Sequence, residues 1–168
     1  MLRAGVARGN VPSARMRTLE LKIPPMLVAA IAAALIWFVA IAAPVLRLAF
    51  PLRREVAIVV GLIGTAIAIA GVVSFRRART TVNPLSPAAA SALVVSGVYR
   101  VTRNPMYLGV LVCLLGWVVW LGSVPALFVL PLFVAYMNRF QIIPEEAALH
   151  ALFGAEFEAY RSSVRRWI

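Results

Sequence analysis

Arg103-Asn104-Pro105-Met106-Tyr107 opens one hydrophobic segment, and Glu145-Glu146 stands just past the end of the next. The two segments, about Pro105 to Leu121 and Val124 to Ile143, are joined only by Gly122-Ser123. A chain that goes in therefore comes straight back, and the two polar groups meet on one side. Asn as N-cap with Pro at the first helical position marks a helix start. The N–H groups of Met106 and Tyr107 are then open to an anion such as an α-carboxylate. Arg103 adds a full positive charge and Tyr107 a hydroxyl, while Gly97 lets the preceding loop approach closely. A basic, amide-rich helix start facing two carboxylates suits a small zwitterion. Arg139 lies near the end of the second segment, where an ionisable residue is a functional candidate. Pro144 interrupts the helix between Arg139 and Glu145, which lets the two converge.

The elements that must hold these residues are membrane helices. Of 168 residues 62% are hydrophobic and none is Asp, with a mean hydropathy of +0.91. Soluble domains are nearer half apolar and a quarter charged. We expect an all-α polytopic membrane protein, one domain over residues 1–168, with residues 97–168 forming the site region. Four stretches are long enough to cross roughly 30 Å of hydrocarbon: about Pro25 to Leu46, Val56 to Phe75, and the two already named. The last two form a tight hairpin. The N-terminal segment, the loop from Arg76 to Arg103 and the C-terminal part carry five, five and four Lys or Arg. The loop after the first segment carries three and the hairpin turn none. That asymmetry predicts both termini and the site in the cytoplasm, as in a bacterial inner membrane.

The net charge of +11 is explained by anionic headgroups rather than nucleic acid, since the basic residues flank membrane segments. Cys113, the single cysteine, lies mid-membrane as a small core residue, so neither disulfides nor a thiolate metal site is expected. Residues 1–18 are polar, basic and aperiodic and predict disorder. The first apolar run is too long for a signal peptide and reads as a retained anchor. Gly61, Gly64, Ala68 and Gly71 recur near one face of the second segment and predict close helix packing. The loop from Arg76 to Thr102, with Leu93, Val94 and Val95 inside it, predicts a cover over the helix mouths.

After Ile143, Pro144 starts a C-terminal amphipathic helix with Leu149, Phe153, Phe157, Tyr160 and Val164 on one stripe. Gly154 lies within it as a bend or break. Arg161, Arg165, Arg166 and Trp167 suit the lipid interface, as do Trp117 and Trp120. His150 reads as a surface or packed residue.

Gly97-x-Tyr99-x-x-x-Arg103-Asn104-Pro105-Met106-Tyr107-x-Gly109 resembles the signature of the small integral membrane methyltransferases. That group includes isoprenylcysteine carboxyl methyltransferases and phospholipid N-methyltransferases. Arg139, Glu145-Glu146, Leu149, Phe153-Gly154, Tyr160 and Val164-x-Arg166-Trp167 resemble its second half, in order. The likeness covers Gly97 to Ile168. It implies that S-adenosylmethionine binds at the cytoplasmic mouth, with a lipophilic acceptor arriving from the bilayer. Asn104, Pro105, Tyr107 and Glu145 would hold the cofactor with Arg103, and Gly97, Val98 and Tyr99 would neighbour it. Asn104 departs from the histidine usual in the prenylcysteine branch, and an amide cannot titrate.

Methyl transfer from a sulfonium uses an electrophile already activated, so alignment supplies much of the catalysis. A carboxylate acceptor needs only positioning, a role for a bidentate Arg139. An amine acceptor must lose a proton, with Glu146 or His150 to take it. We expect an isoprenylcysteine-like carboxyl methyltransferase. Two other readings stand beside it: a phospholipid or small-amine methyltransferase on the same scaffold, and a non-enzymatic membrane assembly subunit. No metal is implied.

Overall fold

Apolar runs with no backbone partner in hydrocarbon must satisfy their own N–H and C=O groups, and helices do so within one segment. The computed structural model describes residues 20–44, 46–47, 49–78 and 91–168. Among them there is no strand, only an isolated bridge between Arg47 and Ser123. Six α-helices carry the fold: α1 Pro25–Ala42, α2 Arg53–Arg77, α3 Pro105–Leu121, α4 Val129–Met137, α5 Ile143–Phe153 and α6 Ala155–Ser163. Three apolar stretches are long enough to cross a membrane: Pro25–Ala42, Arg53–Arg77 and the run Pro125–Phe153. The helix α3 is equally apolar but shorter, at 17 residues. Residues 1–18, and most of the polar part of the loop after α2, lie outside the described residues.

Helix α3 lies between α2 on one side and α1 with α4 on the other. The core gathers Ala29, Ala32 and Ile36 of α1, Leu114 and Val118 of α3, and Val129, Phe133 and Met137 of α4. Leu27, Ile31 and Phe38 on α1, and Ile58, Leu62 and Ile69 on α2, point outward. Water would penalise those faces and hydrocarbon accepts them.

Of the glycines expected to bring helices together, Gly64 and Gly71 do so between α2 and α3, whereas an added carbon at Gly61 would meet nothing within 4 Å. An ideal Cβ on Gly64 would lie 2.6 Å from the Gly109 carbonyl oxygen, and one on Gly109 2.5 Å from that of Gly64. One on Gly71 would lie 2.8 Å from Met106 Cγ, so the same stripe seats the start of α3. Trp117, expected at the interface, instead turns inward and donates from Nε1 to the Ala33 carbonyl at 3.1 Å.

The hairpin turn is built as expected: Gly122 takes a left-handed conformation, φ 65°, at the end of α3. Pro125–Phe128 forms a 3-10 turn into α4. At this end the first loop closes on the hairpin, with the Val124 N–H donating to the Leu46 carbonyl at 3.2 Å.

Pro144 does not break the helix. A π-turn over Asn138–Ile142 joins α4 to α5 without interruption. Proline has no N–H for the carbonyl four residues back, here Phe140. The Leu21 N–H donates to that oxygen at 3.1 Å, so the orphan acceptor is filled from the other end of the sequence. The break comes ten residues later: Gly154, at φ 51° and ψ −120°, separates α5 from α6.

Candidate functional site

Three neighbouring devices aim side chains at one cleft. The first is the start of α3. Asn104 occupies the N-cap position, yet its side chain makes no bond to the first turn. Its Nδ2 donates instead to the Arg166 carbonyl at 3.0 Å, and Thr102 Oγ1 donates to the same oxygen at 3.2 Å. The Arg103 N–H donates to the Arg165 carbonyl at 3.0 Å. Residues Arg165 to Trp167 therefore fold back over the α3 mouth. The cationic, aromatic end expected at the lipid interface instead packs behind the residues that line the cleft, and Trp167 Nε1 donates to Asn138 Oδ1 at 3.0 Å. At a chain end, charge and aromaticity fit a headgroup and an internal carboxylate equally well.

The second device is the π-turn. In a plain α-helix, Glu145 would sit about 80° around the axis from Met137; one extra residue in a turn brings it within about 20°. Met137 is fully buried. Glu145 consequently faces inward, and Tyr107 Oη donates to its Oε2 at 3.2 Å.

The third device is the segment before α3. Gly97, at φ 63°, starts a 3-10 turn through Arg100. An ideal Cβ there would lie 2.9 Å from Ser74 Oγ, so the positive φ and the close seat on α2 both favour glycine. It delivers buried Tyr99 against Phe75, ring centres 5.3 Å apart and edge to face. Tyr160 Oη donates to the Tyr99 carbonyl at 2.8 Å. Burial pushes both phenols well above the usual tyrosine range, so they serve as neutral groups.

These elements enclose a cleft with apolar walls from Phe75, Leu93, Val94, Met106, Leu149 and Phe157, and polar groups from Tyr99, Arg103, Asn104, Tyr107, Glu145 and Glu146. The cover expected after α2 is therefore present in Leu93 and Val94. Glu146 is held by two guanidiniums: Arg166 reaches it through Nε at 3.1 Å and Nη2 at 2.6 Å, and Arg103 through Nη2 at 3.3 Å. Its expected role as a proton acceptor gives way to that of an anchor. Arg103 is only 10% exposed, and its Nε and Nη1 are buried with no hydrogen-bond partner among the described residues. A guanidinium carries five N–H donors, so this one retains capacity for an anion inside the cleft.

The sequence-predicted set divides. Tyr99, Arg103, Asn104, Tyr107, Glu145 and Glu146 come together around the cleft, whereas Gly97, Val98 and Pro105 shape its frame without lining it. Arg139 is not in the lining. Its Nη1 donates to Glu20 Oε1 at 2.9 Å, and its guanidinium lies 5.3 Å from the Phe140 ring centre. Expected as the clamp for an acceptor carboxylate, it is paired with Glu20 outside the cleft lining. His150 is exposed, 3.8 Å from Glu158. Sequence reasoning missed Thr102, Phe75 and the inward use of Arg166. Only Arg166 left a signal, its place in the family-like pattern. Among the described residues no cluster of three metal-ligating side chains occurs.

Comparison with known proteins gives a coherent result. A family model described as phospholipid methyltransferase matches residues 52–156. An uncharacterised protein of Haemophilus influenzae is 43% identical over 63 residues, which is 38% of this chain and all of that protein. No solved structure matches.

Proposed function

The chain belongs to the phospholipid methyltransferase family, whose members are membrane methyltransferases, and from that premise we propose that the cleft binds S-adenosylmethionine for methyl transfer to a lipophilic acceptor. The observation that carries this reading is buried Arg103, with two nitrogens unpartnered among the described residues, lining the same cleft as the Glu145 carboxylate. The pair complements a zwitterion. Arg103 would hold the cofactor's carboxylate, and Glu145, oriented by Tyr107, its ammonium or ribose hydroxyls. The bound cofactor supplies a methyl group already activated on a sulfonium.

What the chain adds is alignment and dryness. Phe75, Leu149 and Phe157 exclude water, and Tyr107 fixes the Glu145 carboxylate. Fixed geometry of this kind is the main source of rate in a displacement that needs no further activation.

Two acceptor groups fit, each on a specific observation. An isoprenylcysteine-type carboxylate needs a cation, and Arg103 would have to give one of its two unpartnered nitrogens to it and the other to the cofactor's carboxylate. A phospholipid-type amine needs a proton acceptor, and Glu145 is the cleft carboxylate that carries no arginine among the described residues.

Calorimetry with S-adenosylhomocysteine in lipid nanodiscs tests the cofactor. The native protein should bind it. Glu145→Gln should weaken binding about tenfold or more, the equivalent of a charge-assisted hydrogen bond of about 1.5–3 kcal/mol. Absence of binding to the native protein would overturn the reading. Transfer of tritiated methyl to a prenylcysteine analogue or to aminophospholipid vesicles then decides the acceptor.

A further inference from the structure

Residues 20–23 cross the α4–α5 junction and make three contacts with three consecutive residues. Glu20 pairs with Arg139, the Leu21 N–H fills the Phe140 carbonyl, and the Ile23 carbonyl accepts from Gln141 Nε2 at 2.6 Å. The junction they cross is the π-turn, the device that rotates Glu145 from the flank of the helix onto the face of Met137. Leu21 adopts φ 56° to reach it, a conformation a leucine holds only when its surroundings impose it. Gln141 is fully buried, so its bond to Ile23 is not exchangeable for water.

We propose that Arg139 is a positioning residue, whose ion pair with Glu20 latches residues 20–23 onto the π-turn and so keeps Glu145 turned into the cleft. The three contacts divide the work. The Leu21 bond completes a backbone acceptor that Pro144 leaves empty, and the Gln141 bond fixes the register of the strap. Both are short-range and depend on the strap being in place. The Arg139–Glu20 pair is the charged contact that brings it there. On this view Arg139 acts on the cofactor site through the helix and not by touching a substrate. The effect on cofactor binding rests on the function proposed above, whereas the latch itself does not.

The test is a charge exchange with two readouts, hydrogen–deuterium exchange of the peptide spanning residues 138–147 and affinity for S-adenosylhomocysteine, both in nanodiscs. Arg139→Ala and Glu20→Ala should each speed exchange in that peptide and weaken affinity by about tenfold, and the double alanine variant should be no worse than either single one. The combined Arg139→Glu, Glu20→Arg protein should return to within about threefold of native affinity, with native exchange. Loss of methyl transfer in Arg139→Ala with native exchange and native affinity would overturn the proposal, because Arg139 would then act on the acceptor. Native exchange in both single variants would overturn it as well. Should the native protein not bind the cofactor product, the exchange data still decide the latch, so the two readings fail separately.

Discussion

Glu146 has two arginine partners of unequal kind. Arg166 approaches through both Nε and Nη2, a fork that matches the two carboxylate oxygens, while Arg103 offers one nitrogen at 3.3 Å. The pair with Arg166 fastens the returning C-terminal residues; the contact with Arg103 holds a side chain that lines the cleft. Lysine at 166 keeps the charge and loses the planar fork. Arg166→Lys should therefore lower stability by about 1 kcal/mol, and Glu146→Gln by on the order of 2 kcal/mol, below the roughly 3–5 kcal/mol of a fully buried pair. Thermal unfolding in detergent measures both. Equal midpoints for the native protein and Glu146→Gln would show that the tail is held by its other hydrogen bonds without this ion pair.

Among the elements, the contact between α2 and α3 sets the frame of the site, because Gly71 receives Pro105 and Met106 at the α3 start. Backbone atoms, not movable side-chain ends, stand nearest to Gly64 and Gly109. Gly64→Ala must consequently push the helices apart, whereas Gly61→Ala, with nothing within 4 Å of the added carbon, should be tolerated. Thermal unfolding should separate the two variants by several degrees, and matching midpoints would discount the close approach. The small-residue spacing made this contact legible in the sequence, as the two-residue turn made the meeting of Tyr107 and Glu145 legible. Pro144 was not legible in the same way. A proline ends a helix unless another donor takes the carbonyl it abandons, and here that donor is Leu21, more than a hundred positions away. Arg139 was misplaced for the same reason, since Glu20 is equally remote. Trp117 shows the converse: its ring suits an interface, but the Ala33 carbonyl was in reach.

At the scale of the molecule, the two ends of the bundle differ. The loop between α1 and α2 meets the hairpin turn at one end, and the α3 mouth, α5, α6 and residues 20–23 gather at the other. The excess of Lys and Arg at the site end supports a cytoplasmic orientation for it. A cysteine at Ala49, exposed in the first loop, should then react with a membrane-impermeant maleimide added outside intact cells, and one at exposed Ser162 should not. The reverse pattern would invert the molecule.

The contacts that finish the site join residues far apart along the chain. Arg139 and Glu20 are 119 positions apart, Gln141 and Ile23 118, and Thr102 and Arg166 64. Helices in a bilayer form locally before they pack, and long-range closures come late because their loop entropy is met before they repay it. The α3–α4 hairpin, by contrast, is local and can form as soon as both halves are inserted. Helical content and an assembled site are accordingly separate quantities in this protein. A chain damaged at residues 20–23 or 165–167 would still insert, show native circular dichroism and travel as a membrane protein, while lacking the contacts that hold its cleft in shape.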